Sequence, residues 1–493
     1  MLVNNYPRDE WAMDWDINRV GIPVDLALTK SALNLWEKEK FNIHANLQEL
    51  TGLDKITRNP MIHWCAQQGW FLENTQKDYL AKVLLQMRQM SMEGEAIYQV
   101  LQLWTEYGGR SVDKFKAILR CVEGDGRVRN VFQFAGASRT MRWAGRYIQP
   151  HNLRSTMVEP DEDKGETWDG VVDGLVTSIH SQDPACLKQT HGHLGTVPQL
   201  LGSAVRHAII APEGSLFSVN DLSSIESVML GWITGCKAIN EAVASGLDTY
   251  KLFGAEYFGI PYEEVSKRQR KFSKPPVLGC GYQLGWKGLI VYADGMGVTL
   301  TEDAAKRAVN LWRKMHPEVK ACWKWLVDAA CDVTEGKAID AVGYRVRIYR
   351  DLQFLYIELP SGRRLCYFRP EVRYEENEEW GSVRRNFVYK GVNQKTGRWG
   401  TVYSHGGKIL ENIDQAISRD LLAHGALIFH QNYQQWARIF LHVHDEIATE
   451  VYDAAAAPDM LETLRQCMVT NPTWAPDVLL KSAGYIAPRY RKD

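Results

Sequence analysis

Apolar residues recur every three or four positions through most of this chain, and every second position in a few short stretches. Ile97, Val100, Leu101 and Trp104 stand at i, i+3, i+4 and i+7. After the breaker Gly108-Gly109 the stripe returns in Phe115, Ile118, Leu119 and Val122. Such spacing lines one face of a helix, so residues from about 25 to 130 are predicted to form a long antiparallel helix pair or bundle. Helical periodicity resumes from about 235 to 345, with Ala305, Val309, Leu311, Trp312 and Met315 among the apolar positions. From about 340 to 410 the pattern shortens to β-like runs: Val342 to Tyr349, Phe354 to Leu359, and Leu365 to Phe368. The turn clusters Pro360-Ser361-Gly362 and His405-Gly406-Gly407 punctuate them. A helix from about Leu410 to Ile428 and a strand–turn–strand around Asp445 follow. An earlier apolar run, Leu216-Phe217-Ser218-Val219, reads as a further strand. Strands separated by helical insertions predict an α+β chain in which one sheet hosts helical bodies.

The gross numbers narrow the class. With 493 residues, 45% of them hydrophobic and 24% charged, the chain is long enough for two to four subdomains with their own cores. Its formal net charge of −1 means that any nucleic-acid contact must come from local clustering. One cluster stands out. Arg127, Arg129, Arg139, Arg142, Arg146 and Arg154 share a stretch without acid or lysine, interleaved with Phe132, Phe134, Trp143 and Tyr147. Arginine forks suit phosphate and base-edge acceptors, so this run is predicted to face a polyanion. The nine cysteines are scattered without C-x-x-C, which favours buried thiols in a reducing compartment over a disulfide framework or zinc site. No basic leader with an apolar core opens the chain, and no apolar run reaches the roughly 18–20 residues of a membrane span.

The candidate chemistry sits at three places. Asp221, in Asn220-Asp221-Leu222-Ser223-Ser224-Ile225-Glu226, follows the first strand-like run. Asp445 and Glu446, in Leu441-His442-Val443-His444-Asp445-Glu446-Ile447, follow another. Carboxylates on neighbouring strands are what a pair of magnesium ions needs. Between them Arg270, Lys274, Leu278 and Tyr282 recur every four residues. On a helix this is one slowly drifting face, roughly 18 Å long at 1.5 Å per residue, cationic at one end and aromatic at the other. Pro275-Pro276 interrupts that run, so a kink or a helix start is expected there.

In this order the three segments resemble motifs A, B and C of family A DNA polymerases, with wording nearest the bacteriophage branch. The resemblance runs from about Trp11 to Tyr490, including Ile17-Asn18-Arg19-Val20-Gly21-Ile22-Pro23-Val24-Asp25 near the start. It implies a right-hand polymerase fold: antiparallel-sheet palm, helical fingers and helical thumb. Residues 1–24 would lead into the polymerase region, 25–130 form the thumb, 131–234 the first palm part, 235–345 the fingers and 346–493 the second palm part. It further implies that Asp221 and Asp445 bind two Mg2+ ions, with the Leu222 carbonyl assisting, Glu446 as accessory carboxylate and Mn2+ as substitute. Arg270 would clamp the outer phosphates of a deoxynucleoside triphosphate, and Lys274 would serve the α-phosphate and the leaving pyrophosphate. Leu278 and Tyr282 would border the base, and Glu226 would meet Tyr282 and exclude a ribose 2′-hydroxyl.

Primer–template DNA is the implied macromolecular partner, met by Arg142, Arg146, Asn152, Gln415, Asn412 and His444. The family usually has glycine where Met141 stands. For Asn412 and Gln415 a core-facing or capping amide is an equal reading, and His444 also reads as a structural hydrogen-bonding neighbour of Asp445. The implied activity is template-directed DNA synthesis in phage replication, in a host cytoplasm. The alternatives are a single-subunit RNA polymerase and an inactive primer–template binding subunit. Asp14 and Asp16 are too isolated to build a proofreading exonuclease site, so none is expected on this polypeptide; an exonuclease or processivity partner is left open.

Overall fold

Asp25 caps the helix Leu26–Thr51 by accepting from the Leu28 amide at 2.8 Å, and Gly52 ends it at a φ of 70°. Left-handed backbone of that kind is what glycine adopts most readily. Leu28, Ala32, Leu35, Ile43 and Leu47 are buried along this helix, which packs on Ala96–Tyr107, Asp113–Cys121 and Trp168–His180. The predicted stripe holds in Ala96–Tyr107, where Ile97, Val100 and Leu101 are buried. In Asp113–Cys121, Phe115 and Ile118 are buried, whereas Leu119 is exposed and Val122 lies past the last turn. The helical layer also reaches beyond 130. Trp168–His180, Pro184–His191 and Val197–Ala204 all pack on Leu26–Thr51.

These features belong to a computed structural model that describes residues 7–110, 112–377, 382–393 and 396–491. The first six residues of the 1–24 lead-in therefore lie outside the described residues, as do a few positions of the 346–493 segment.

Two antiparallel sheets organise the rest. The first has four strands in the order Ala437–Val443, Glu446–Val451, Leu216–Leu222, Ser482–Ala487. All six residues of the inner strand Glu446–Val451 are buried, Ala483 and Gly484 of the edge strand Ser482–Ala487 are exposed, and Ala457–Val469 packs against Leu216–Leu222 and Ser482–Ala487. The carboxylate of Glu450 is inside as well, bonded by Arg127 at 2.6 Å and Arg438 at 2.8 Å. The second sheet is a six-stranded meander from Asp340–Gly343 to Trp399–Ser404. The run Val342 to Tyr349 is really two strands, reversed at Tyr344-Arg345, where both residues have positive φ. Arg364–Asn377 and Ser382–Val392 extend far past the apolar run Leu365 to Phe368. Alternating charges there, such as Arg369, Glu371, Arg373 and Glu375, hid the strand from a reading based on apolar residues.

The helix placed at Leu410 to Ile428 is longer, spanning Gly406–Tyr433. Its first two residues are the Gly-Gly read as a turn. A Cβ on Gly406 would lie 1.9 Å from the Trp323 carbonyl oxygen, and one on Gly407 2.4 Å from that of Tyr282. Only glycine lets this helix tip close against both backbones, and that approach sets the position of Tyr282.

Candidate active site

Asp221 is the next-to-last residue of the Leu216–Leu222 strand, where its Cα partner is Glu446. Asp445 stands in the two-residue turn joining Ala437–Val443 to Glu446–Val451, reversed through a φ of 55° at His444. The Leu222 amide donates to the Asp445 carbonyl at 2.9 Å, which holds the two aspartate positions to one edge of the sheet. Both aspartates are partly exposed. Hard oxygen donors at a water-accessible edge fit magnesium, which keeps several waters and takes further ligands from phosphates. Among the described residues no group of three or more His, Cys, Asp or Glu is placed to hold a metal. Glu446, expected as the accessory carboxylate, is only 4% exposed, and one of its oxygens accepts from the Tyr490 hydroxyl. Arg206 donates to that same hydroxyl at 2.8 Å. Glu446 thus ties the end of the chain to the sheet, a role its apolar neighbours did not announce.

Below the Asp445 turn lies a ring stack. His442 is 4.4 Å from Phe132 and 4.7 Å from Trp143 between centroids, and His151 is 5.6 Å from both His442 and His444. Burial, with help from His444 and Arg142 and against the bond to the His442 carbonyl, pushes His151 down to about 4. A histidine kept neutral by the fold contributes stability that is present above its unfolded pKa of about 6.5 and is lost as pH falls toward 4. Urea unfolding between pH 7.5 and 5 is therefore expected to show an acid-side loss that is shallower in His151→Gln; parallel profiles would exclude His151 as its source.

The basic segment forms the helix Lys267–Cys280, capped by Ser266 and Gln269 in a reciprocal capping box. It starts eight residues before Pro275 and runs through both prolines, which corrects the expected start at that pair. Arg270, Lys274 and Leu278 accordingly share one helix, and Tyr282 follows just past its end. Lys274 is partly buried and makes no ion pair among the described residues. Arg270 donates to Asp248 at 2.6 Å and lies 5.1 Å above the Tyr250 ring.

The strand bearing Asp221 leads into the helix Ile225–Thr234, and Glu226 in its first turn accepts from Arg142 at 3.0 Å. Tyr282 and Asp414, the latter buried on the Gly406–Tyr433 helix, both feel the Glu226 charge. Burial first, then the Asp414 and Glu226 carboxyls, pushes the Tyr282 phenol well above its ordinary value. Asp414 is not among the residues singled out from the sequence, although it lies between Asn412 and Gln415, which are. The available signal was its place between Ile413 and Ala416-Ile417, on an apolar helix face.

The residues predicted to meet DNA divide. Arg146, Asn152 and His444 are exposed, while Gln415 and Arg142 are partly so. Asn412 is not available: it is buried and donates to the Tyr367 hydroxyl at 3.2 Å. Of the six arginines, Arg127 is bound to Glu450, Arg129 to Glu123 and Asp125, and Arg139 is held between the Tyr367 and Tyr389 rings. Half of the run is therefore engaged within the chain, Arg127 in the interior and Arg129 nearer the surface. Met141 has a φ of 59°, a conformation that explains why glycine suits that position.

The model of DNA polymerase family A matches residues 147–353. The DNA polymerase of Bacillus phage SP02 is 31% identical over 494 residues, covering 98% of this chain and 70% of that protein. The chain is a family A DNA polymerase. As a DNA-directed DNA polymerase it is an enzyme, which sets aside the RNA polymerase and the inactive binding subunit. DNA polymerase I of Lactococcus lactis subsp. lactis is 25% identical to this polymerase over 316 residues, 62% of this chain and 30% of that protein. A solved POL domain from M. smegmatis, in complex with DNA primer-template and dNTP, has the same fold. Its TM-score is 0.67 over 99% of this polymerase and 70% of that chain, at 16% identity.

Proposed function

We propose that this polymerase extends a primer 3′-hydroxyl with deoxynucleoside triphosphates, with Asp221 and Asp445 as the ligands of two magnesium ions and the Leu222 carbonyl assisting. The observation that carries this reading is the 2.9 Å Leu222–Asp445 bond, which brings carboxylates far apart in sequence to one exposed sheet edge. Bound there, the metal would lower the pKa of the primer hydroxyl and offset charge developing on the α-phosphate. Lys274 neutralises charge near the α-phosphate and supplies a proton to the leaving pyrophosphate. Arg270 exchanges Asp248 for the outer phosphates, since one planar fork fits either partner. Leu278 and Tyr282 border the base, and Glu226, fixed by Arg142, borders the sugar. Arg146, Asn152 and His444 face the primer–template, and Gln415 reads minor-groove acceptors that are nearly common to all base pairs.

In this reading residues 25–130 are the thumb, with the 168–204 helices packed on its longest helix. The four-stranded sheet is the palm, and the helices of 235–345 are the fingers. Likeness to a phage polymerase supports a role in phage DNA replication in a host cytoplasm. No helix among the described residues is long and apolar enough to cross a membrane.

The test is single-nucleotide primer extension opposite template G. Extension is expected with dCTP and magnesium, with manganese as substitute, and it should stop in EDTA. A preference for rCTP over dCTP, or extension that persists in EDTA, would sink this reading.

A further inference from the structure

Between the helices Glu302–Met315 and Pro317–Thr334 and the six-stranded sheet lies a cleft of about 400 Å3 that the proposed reaction leaves unused. Its lining includes Gln283, the residue after Tyr282, whose Oε1 accepts from the Gly407 amide at 3.0 Å. The first helix supplies Arg313 and the second Lys320 and Lys324. The strands Ser382–Val392 and Trp399–Ser404 supply Asn386 and Ser404. No acid is among the lining residues. Arg385, also in the lining, is neutralised by Asp328 at 3.2 Å and Asp332 at 2.5 Å, but Arg313, Lys320 and Lys324 make no ion pair among the described residues.

The polar atoms of this cleft are short of acceptors. Asn386 is 9% exposed and Ser404 7%, yet Asn386 Nδ2 and Ser404 Oγ have no hydrogen-bond partner, and neither has Arg313 Nε. The two nitrogens can only donate, and a hydroxyl donates as readily as it accepts. Buried donors left unmatched are costly, so three around one cleft mark a missing acceptor. An uncharged acceptor would leave the three cations unbalanced, whereas an anion with several oxygens satisfies donors and charge together. Phosphate is such an anion. Lys320 and Lys324 are exposed and four residues apart on one helix face, so the charge runs as a row. A row of cations suits a strand of linked phosphates better than a lone anion.

We propose that this cleft is a phosphate site for the single-stranded template ahead of the primer end: Arg313, Asn386 and Ser404 donate to one phosphodiester, and Lys320 and Lys324 follow its neighbours. Because Gln283 comes directly after Tyr282, a strand held here is led toward the place where the templating base pairs. That placement rests on the reading above that Tyr282 borders the base. The surplus of donors and cations stands without it.

The experiment measures, by fluorescence anisotropy, the affinity for primer–templates whose 5′ template overhang is about one or about eight nucleotides long, the latter within the usual site size of a single-strand groove. It compares wild type, the double variant Lys320→Ala/Lys324→Ala, and Asn386→Leu. Wild type is expected to bind the long overhang about tenfold more tightly than the short one. The double variant should lose that advantage while binding the short overhang within about twofold of wild type. Its salt dependence on the long overhang should fall by about 1.4 in log–log slope, two phosphate contacts at about 0.7 each. Asn386→Leu removes a donor and no charge, so it should cut the advantage about threefold and leave the slope unaltered. If it does not fold, judged by its melting curve, Ser404→Ala takes its place with the same expectation. Wild type given neutral methylphosphonates in the overhang should match the double variant. An advantage that is absent from wild type, or that survives the double variant, the methylphosphonates or the loss of the buried donor, overturns the proposal. So does calorimetric binding of pyrophosphate that the double variant loses while the overhang advantage persists, which would make this a site for a free anion. Nucleotide KM in Tyr282→Ala tests the base-site reading separately, so failure of one is told from failure of the other.

Discussion

Asp221→Ala and Asp445→Ala should each bring primer extension below about a hundredth of the wild-type rate, because metal-ion stabilisation of the transition state amounts to several kcal/mol. Primer–template affinity should stay within a few-fold. The contrast follows from where the two functions lie. The aspartates share one sheet edge, held by the Leu222–Asp445 bond, and as the proposed metal ligands would serve charge that develops only during reaction. Of the exposed candidates for holding the duplex, Arg146 and Asn152 belong to a different segment, and only His444 shares the Asp445 turn. Rapid-quench extension paired with a fluorescence-anisotropy titration of labelled primer–template separates the two. A variant that keeps more than about a tenth of the rate would remove its residue from the metal site. Glu446→Gln should behave differently. Its carboxylate is engaged with Tyr490 in the interior, so the expected effect is a lower melting temperature with much of the rate retained.

Lys274→Ala is the second large effect. Lys274 stands on the same helix as Arg270, one turn away and partly buried, without an ion pair among the described residues. Removing a charge-assisted phosphate contact costs about 1.5–3 kcal/mol, or roughly 10- to 150-fold in kcat/KM for the nucleotide. Arg270→Ala should cost less than Lys274→Ala, because Arg270 must first leave Asp248 and the Tyr250 ring, and that exchange offsets part of the gain. Steady-state kinetics over a dNTP series, beside a DNA-binding isotherm, decides the matter. A tenfold weaker DNA affinity with unaltered nucleotide KM and kcat would make this helix a DNA-backbone patch.

How much of the site could be read beforehand differs by residue. The Asp221 and Asp445 strands were visible because each aspartate follows an apolar run, and the capping box at Ser266 was there to be read in the sequence. The behaviour of Pro275-Pro276 was not. Proline removes two amide donors and crowds the preceding turn, yet this helix continues to Cys280 with both prolines buried. The arginine run shows the opposite failure. Composition marked it as a polyanion-facing stretch, but Arg127 meets Glu450, on a strand hundreds of residues later, and Arg129 meets the acids Glu123 and Asp125 that stand just before the run.

By itself the sequence determined the family, the alternation of helical and strand-bearing segments, and the two carboxylate positions, because periodicity and short motifs are local properties of the chain. Only the tertiary structure decided which polar groups are spoken for. Asn412 went to Tyr367, Glu446 to Tyr490, Arg270 to Asp248, and Asp414 was enclosed in the interior. A side chain's availability depends on its burial and on partners remote in sequence, since a polar group removed from water must be matched by whatever the fold sets beside it.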